Sequence, residues 1–488
     1  FRGLGGGVFP LFFFLSPPPP APPSLPKTFD WRGGGAGGVR SSISRENGPH
    51  PRKSGRFTLF HCPIKKTSRP ADHERKRYTI MHDIYPIQEI RSLFPALCRL
   101  HNGNKAVYLD GPGGSQVVAT AITSMSNYMR RGVANTHGKF PSSEETEAII
   151  ESAKAALGDL LACAPGEIAF GANATSNMFA VSRALSRSWN PGDEIVVSEM
   201  DHHSHIDTWI LAARDRGVVV RHLPVDPEAL TLDLADLDAT VNAKTRLVAV
   251  GYASNAVGTI NDVARISRRC REVGALLSVD AVHIAPHKAI DMDAIGADML
   301  FCSVYKFFGG HIGIAAIRKN VFEALDTYRL HPAPSTAPGK LETGTQSHEA
   351  IASIVPAVDF ISGLGTGSTR RERLVSGFER IERHENALAE IIRQGLAGAP
   401  GLTLYQSEGP KTATVAFTLE GQQPGDVCRK LCDRYGIFAA DGDYYAETLA
   451  HRVGVDRIGG WVRVGFAPYN TEEEAELLVR AVREIAAG

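Results

Sequence analysis

From residue 105 onward the chain alternates short apolar runs, rich in Val, Ile, Leu and Ala, with stretches whose apolar positions return every three or four residues. Alternation of that kind is the signature of strands in a parallel sheet joined by crossover helices. The runs predict strands over 194–198, 218–223, 247–252, 276–280, 299–302 and 312–317. Helices fit between most of them. The periodicity predicts one helix over 144–163, opened by the capping-box pattern Ser142-Ser-Glu-Glu145, and another over 263–273 that stops at Gly274. After about Thr345 the rhythm changes to a long helix over 370–396, a strand over 413–419, a helix over 426–435 and a strand over 461–466, with a last helix behind a second box, Thr471-Glu-Glu-Glu474. The expected organisation is an N-terminal arm and large α/β domain over 81–345, then a smaller α+β domain over 346–488. A cleft between two such domains is a favoured ligand site.

Residues 1–80 do not share this pattern. They run through Phe9-Pro-Leu-Phe-Phe-Phe-Leu-Ser-Pro-Pro-Pro-Pro20 into Gly-rich and Arg-rich stretches without sustained periodicity, which reads as disorder. The apolar run is too short to span a bilayer. Arg2 ahead of it and the scarcity of acidic residues also fit a signal or transit peptide. The preferred reading is upstream sequence outside a working protein that starts at or near Met81. Charge narrows the partners, because the 53 Lys and Arg balance the 53 Asp and Glu, and no long basic block stands out in the central region. Neither nucleic acid nor an anionic membrane surface is therefore expected as a partner. Cys62, Cys98, Cys163, Cys270, Cys302, Cys428 and Cys432 are scattered without metal-ligand spacing, so no metal is expected and the location expected is cytoplasmic.

Candidate chemistry sits just beyond the predicted strands. Lys306, in Asp298-Met-Leu-Phe-Cys-Ser-Val-Tyr-Lys-Phe-Phe-Gly-Gly310, is delivered by an apolar strand into a Gly-bounded turn, and Asp280 ends the run Leu276-Leu-Ser-Val-Asp280. A lysine and a carboxylate are the two groups a protein supplies to the ring of pyridoxal phosphate (PLP): the lysine carries the aldehyde, and the carboxylate keeps the pyridine nitrogen protonated. Gly171-Ala-Asn-Ala-Thr-Ser-Asn177 is a small polar turn entering a helix. There the amides and hydroxyls of Ala174, Thr175 and Ser176 can cradle a phosphate or form an ordinary helix cap. In Glu199-Met-Asp-His-His-Ser-His205, neighbouring side chains diverge, so a ring stacked on a flat cofactor fits better than a shared metal ion. Asn255 follows another strand and can hydrogen-bond a phenolic oxygen. Asn255, Asp280 and Lys306 are separated by 25 and 26 residues, about one strand-plus-helix unit each. That spacing brings all three to one carboxyl edge of the sheet, where open α/β folds bind ligands.

With these motifs in order, the region 108–486 resembles the class V aminotransferase group of fold-type I PLP enzymes, most closely the cysteine desulfurase and selenocysteine lyase branch. The resemblance implies a mostly parallel seven-stranded sheet flanked by helices, with a small C-terminal domain. Asp280-Ala-Val-His283 is similar to the family's Asp-x-x-Gln/His element, which assigns Asp280 to the pyridine nitrogen and His283 to the ring hydroxyl. Ser303-Val-Tyr-Lys306 resembles Ser-x-His/Tyr-Lys, implying phosphate contacts from Ser303 and Tyr305 and covalent attachment of the cofactor at Lys306. Ala174 and Thr175 fall on the phosphate-binding pair, His202 on the histidine over the ring, and Asn255 on the asparagine near the ring oxygen. Arg463, in Trp461-Val-Arg-Val-Gly465, matches the arginine for the substrate α-carboxylate, a task suited to its rigid fork. Thr345 matches a threonine that reaches the neighbouring subunit's phosphate, which implies a homodimer with shared active sites.

One element of the pattern is missing. In the desulfurases a mobile loop before the arginine motif carries the cysteine that accepts sulfur, and aligning Gly436-Ile-Phe-Ala-Ala-Asp-Gly-Asp-Tyr-Tyr-Ala446 on it puts Tyr445 or a neighbour in that place. No cysteine follows Cys432, and Cys428 and Cys432, one helical turn apart, read as a buried face. A phenol cannot accept sulfane sulfur. The function expected is a cysteine desulfurase-like lyase or transferase acting on an amino acid. An epimerase or aminotransferase of the same family is the alternative, and a non-catalytic PLP-binding accessory subunit the third reading. Tyr444, Tyr445 and His137 are the acid–base candidates, with His137 also a substrate-binding candidate.

Overall fold

A strand buried on both faces gives a continuous apolar run in place of alternation. The centre of the computed structural model, which describes residues 85–488, is built from such strands. They are β1 (Ile168–Gly171), β2 (Glu194–Ser198), β3 (Val219–Leu223), β4 (Thr245–Gly251), β5 (Leu276–Asp280), β6 (Met299–Ser303) and β7 (Gly313–Ile317). Every residue of β2, β6 and β7 is buried, whereas β3, at one edge, is largely exposed. The order across the sheet is β1-β7-β6-β5-β4-β2-β3. Strands β3, β2, β4, β5 and β6 are parallel, and β7 runs antiparallel to both β6 and β1. The expected mostly parallel, seven-stranded sheet is present. The expectation for residues 1–80, and for a start near Met81, lies outside the described residues.

Helices cover both faces of this sheet. Val196, Val248, Val250, Leu277 and Val279 pack with α1 (Pro141–Leu161) and α4 (Val263–Val273), while Ile195, Val197, Leu247, Ala249 and Phe301 pack with α2 (Ala174–Leu185) and α3 (His203–Arg216). A second, antiparallel sheet has the order β8 (Leu402–Tyr405), β9 (Thr414–Leu419), β11 (Trp461–Gly465), β10 (Ala440–Gly442). Its core shares Leu388, Ile392, Leu431, Leu478 and Val482 with α5 (Arg370–Leu396), α6 (Pro424–Tyr435) and α7 (Glu472–Ala487). Val107–Tyr108 pairs with Ile437–Phe438 in a separate two-stranded ladder, and Val107 and Ile437 join the hydrophobic core of this second sheet. No helix among the described residues is long and apolar enough to cross a membrane.

The two expected capping boxes had different fates. Helix α1 starts at Pro141 behind an extended Phe140, so Ser142 lies inside the first turn and caps nothing. Proline presets φ for that turn and has no N–H to satisfy, which makes it the natural first residue. Ser143 instead donates to Asn135 O at 2.6 Å and accepts from Gly138 N at 2.8 Å. At α7 the box forms as read: Glu474 N donates to Thr471 Oγ1 at 3.3 Å, and Thr471 N to Glu474 Oε2 at 3.2 Å. Thr471→Ala is expected to cost about 1 kcal/mol, visible as a lower urea midpoint at unchanged slope. An unmoved midpoint would mean the box contributes nothing.

Candidate active site

Parallel strands end on the same side, and the carboxyl ends of β1, β2, β4, β5 and β6 open into one cavity of about 550 Å³. Strand β5 places Asp280 at its last position, β4 runs on to Asn255, and β6 runs on through Ser303 to Tyr305 and Lys306. Strand β1 leads into Asn173, which caps α2 by accepting from Ser176 N at 2.8 Å and sets Ala174 and Thr175 at the helix start. Strand β2 leads to His202, whose Nδ1 accepts from Ser204 N at 3.0 Å at the head of α3. From the second sheet, β11 contributes Arg463, and residues 440–445 form the opposite wall.

Thus Ala174, Thr175, His202, Asn255, Asp280, His283, Ser303, Tyr305, Lys306 and Arg463 all line the cavity. Thr345 and His137 do not. His137 sits in a left-handed turn (φ 72°) with its side chain 88 % exposed and Nδ1 3.4 Å from Glu147 Oε1. Within the chain His137 therefore lies apart from this cavity, beside Glu147 of α1. Thr345 is exposed as well. The three clustered histidines diverge, with His202 at the cavity, His203 Nε2 3.1 Å from Thr448 Oγ1, and His205 fully buried.

Burial sets the electrostatics. It lowers the Lys306 ammonium to about 8, aided by Arg463 and opposed by Asp110 and Asp280. Lys306 Nζ donates to Pro112 O and, at 3.0 Å, to Gly113 O. Asp280, 9 % exposed, is raised by burial against the influence of His205 and of the Val282 N–H, which donates to Oδ1 at 2.8 Å. His202 falls to about 4, first by burial and then through Lys306, so its ring is neutral near pH 7. Its ring stacks on Tyr445, with centroids 5.2 Å apart and 20° between planes. His283 Nε2 lies 3.1 and 3.2 Å from the hydroxyls of Thr412 and Thr414, while its buried Nδ1 has no partner among the described residues.

Sequence reasoning missed two groups. Asp110 lines the cavity from the turn Asp110-Gly-Pro-Gly-Gly114, whose density of turn residues after an apolar run was the available signal. Asp201 stood unnoticed among the histidines. It accepts from Ser198 Oγ and lies 3.0 Å from His205 Nδ1, and His205 Nε2 in turn lies 2.8 Å from Ser278 Oγ on β5.

The donor set suits PLP part by part. It offers an amine of lowered basicity for the aldehyde, a buried carboxylate short of a cation for the pyridine nitrogen, and an unpartnered histidine nitrogen for the ring oxygen. A helix start with Thr175 beside it suits the phosphate. The comparisons agree. Residues 107–478 match the family model "Aminotransferase class-V". The chain is 31 % identical over 423 residues to a probable cysteine desulfurase of Streptomyces coelicolor, covering 82 % of this chain and 96 % of that one. It is 28 % identical over 404 residues to an uncharacterized protein of Mycobacterium tuberculosis, covering 82 % and 99 % respectively. The apo structure of a cysteine desulfurase from Thermococcus onnurineus superposes with a TM-score of 0.73 at 25 % identity, covering 83 % of this chain and 99 % of that one. With lysine, aspartate and arginine brought to one cavity on this fold, the chain belongs to the class V aminotransferase family, and it is a fold-type I, PLP-dependent enzyme of the cysteine desulfurase-like group.

Proposed function

We propose that the protein is an amino-acid lyase or transferase built like a cysteine desulfurase but without a thiol at the mouth of its site. The observation that carries this reading is the cavity wall of residues 440–445, which presents Tyr444 and Tyr445 opposite Lys306. Cys428 is buried on α6, and Cys432 Sγ lies 3.4 Å from His101 Nε2, and neither lines the cavity. Bound PLP supplies an electron sink for a carbanion at Cα.

The residues divide the rest of the work. Arg463 holds the α-carboxylate. Lys306 anchors the cofactor and, once free, takes the proton from Cα; an ammonium near 8 leaves a useful neutral fraction at pH 7. Asp280 keeps a proton on the pyridine nitrogen, and His202 covers the ring face. His283 and Asn255 serve the ring oxygen; Ala174, Thr175, Ser303 and Tyr305 hold the phosphate. Asn255 has a second duty, since its Nδ2 donates to Tyr444 O at 2.9 Å and fixes the mouth segment.

We also assign the chain to a homodimer with shared sites, in which Thr345 reaches the partner's phosphate. Supporting this, Ile122, Met129, Val133 and Phe140 form exposed apolar surface on and after the helix Ala119–Arg131. Tyr128 of that helix lies 3.2 Å from His348 Nδ1, which puts the segment around Thr345 beside this surface. The division into domains over 81–345 and 346–488 and a cytoplasmic location belong to the same proposal.

The deciding experiment incubates holoenzyme with cysteine, cysteine sulfinate, selenocysteine and a panel of other amino acids, following sulfide, alanine, pyruvate and Cα deuterium exchange. Sulfide with equimolar pyruvate and ammonia from cysteine, the balanced products of β-elimination, unaffected by thiol alkylation, supports a lyase that needs no thiol at its mouth, whereas alanine with transferred sulfur would contradict the reading of Tyr445. Loss of that activity on alkylation would restore a thiol mechanism and defeat the reading. Deuterium exchange without net product would favour epimerisation, for which Tyr445, stacked on the His202 ring, is the candidate proton donor.

A further inference from the structure

The turn Asp110-Gly-Pro-Gly-Gly114 has no part in the roles above, yet it holds both cations of the cavity. Its carbonyls at Pro112 and Gly113 take Lys306 Nζ. Its carboxylate takes Arg463: Nη2 donates to Asp110 Oδ1 at 2.9 Å, while Nη1 donates to Asn255 O at 2.9 Å and the Tyr444 ring centre lies 3.8 Å from Cζ. The two partners differ in burial, with the Arg463 side chain 4 % and the Asp110 side chain 43 % exposed. Asp110 is the only carboxylate within ion-pair distance of Arg463 among the described residues. A buried guanidinium requires such a counter-charge. The turn is shaped to provide it. Gly113 N and Gly114 N donate to Asp110 O at 3.0 and 3.1 Å, and a Cβ on Gly113 would overlap the Asp110 carboxylate. Gly465 N donates to Leu109 O at 2.7 Å, pinning the turn to the strand that carries Arg463.

We propose that Asp110 is a specificity-determining residue, an internal carboxylate that occupies Arg463 until the carboxylate of a ligand replaces it. This rests on the reading of Arg463 as the α-carboxylate anchor. Displacement is easy for Asp110, because its side chain is already half in solvent and such a pair is weak on that side. The displaced carboxylate stays in the cavity, which Asp441 and Asp443 also line. A zwitterionic amino acid brings an ammonium to meet it; a ligand with a second negative charge brings repulsion. The substrate class is therefore α-amino acids with a neutral or cationic side chain, ahead of acidic ones.

Calorimetric titration of the holoenzyme with propionate and with succinate, neither of which has an amine to react, tests this. Wild type is expected to bind succinate more weakly than propionate. Asp110→Asn is expected to tighten propionate about tenfold, the loss of one charge-assisted competitor, and succinate by more. Gly113→Ala, which excludes the same carboxylate by sterics, is expected to act in the same direction, and Asp110→Glu to stay near wild type. Unchanged or weaker propionate binding in both Asp110→Asn and Gly113→Ala, with binding still lost in Arg463→Ala, overturns the role of Asp110 and leaves Arg463 standing. Binding in Arg463→Ala equal to wild type, or binding in none of the proteins, defeats the reading of Arg463 itself.

Discussion

Replacing Lys306 with alanine is expected to abolish the absorbance band of protein-linked cofactor and to lower turnover by at least about 10³-fold, because one side chain serves as nucleophile and as base at Cα. Replacing Lys306 with methionine, which keeps the volume and removes the charge, should make the cofactor-free protein more stable, which separates a chemical role from a structural one. Burial, with Arg463 second, brings the Lys306 ammonium from 10.5 down to about 8. Between those values the unfolded chain holds the proton and the folded chain does not, so stability climbs as pH rises through this window. Below about 8 the folded state carries the whole penalty, at most about 3 kcal/mol at 1.36 kcal/mol per unit. Urea unfolding of cofactor-free Lys306→Met should therefore show a gain at pH 7 that shrinks above pH 8 and disappears near 10.5. A gain independent of pH would come from packing, and a loss at pH 7 would make Lys306 a structural residue.

How much of this was legible depended on how local the signal was. Strands β2, β4, β5 and β6 were readable within one or two residues because burial on both faces leaves uninterrupted apolar runs. Strand β1 has the same character but is only four residues long, Ile168–Gly171, too short a run to stand out from the helices on either side of it in sequence. Asp280, Asn255 and Lys306 were readable together because the repeat of strand and helix fixes which edge each one reaches. Arg463 entered through family resemblance, and the cavity wall accommodates it. Asp110 could not be found that way, since its partner is 353 positions distant and nothing near it in sequence betrays the pairing. His137 is the converse case: its neighbourhood looks chemically apt, while the fold sets it beside Glu147 of α1 and apart from the cavity of its own chain.

Asp280→Asn is expected to keep the fold, weaken PLP binding and reduce turnover by roughly 10²- to 10³-fold, the scale of removing one preorganised electrostatic group. The reason lies in what the carboxylate lacks. It is buried at the end of β5, its one hydrogen-bond donor among the described residues is the Val282 amide, and burial raises its pKa. Asp201 pushes in the same direction, although the Ser198 hydroxyl and the His205 ring absorb much of that second charge. An acid raised in the folded state is ionised first in the unfolded chain, so stability falls as pH rises from the ordinary carboxylate range through the folded value, and the penalty is complete above it. The buried acid of the cofactor-free protein thus lacks a cation to hold its charge, and a protonated pyridine nitrogen is that cation. Asparagine removes both the penalty and the reward. The cofactor-free variant should accordingly unfold at a higher urea concentration than wild type at pH 7, with the difference closing toward pH 4, while its dissociation constant for PLP rises. If turnover and PLP affinity both survived the substitution, the buried charge would be structural, and the electron sink would have to be held by another residue of the cavity.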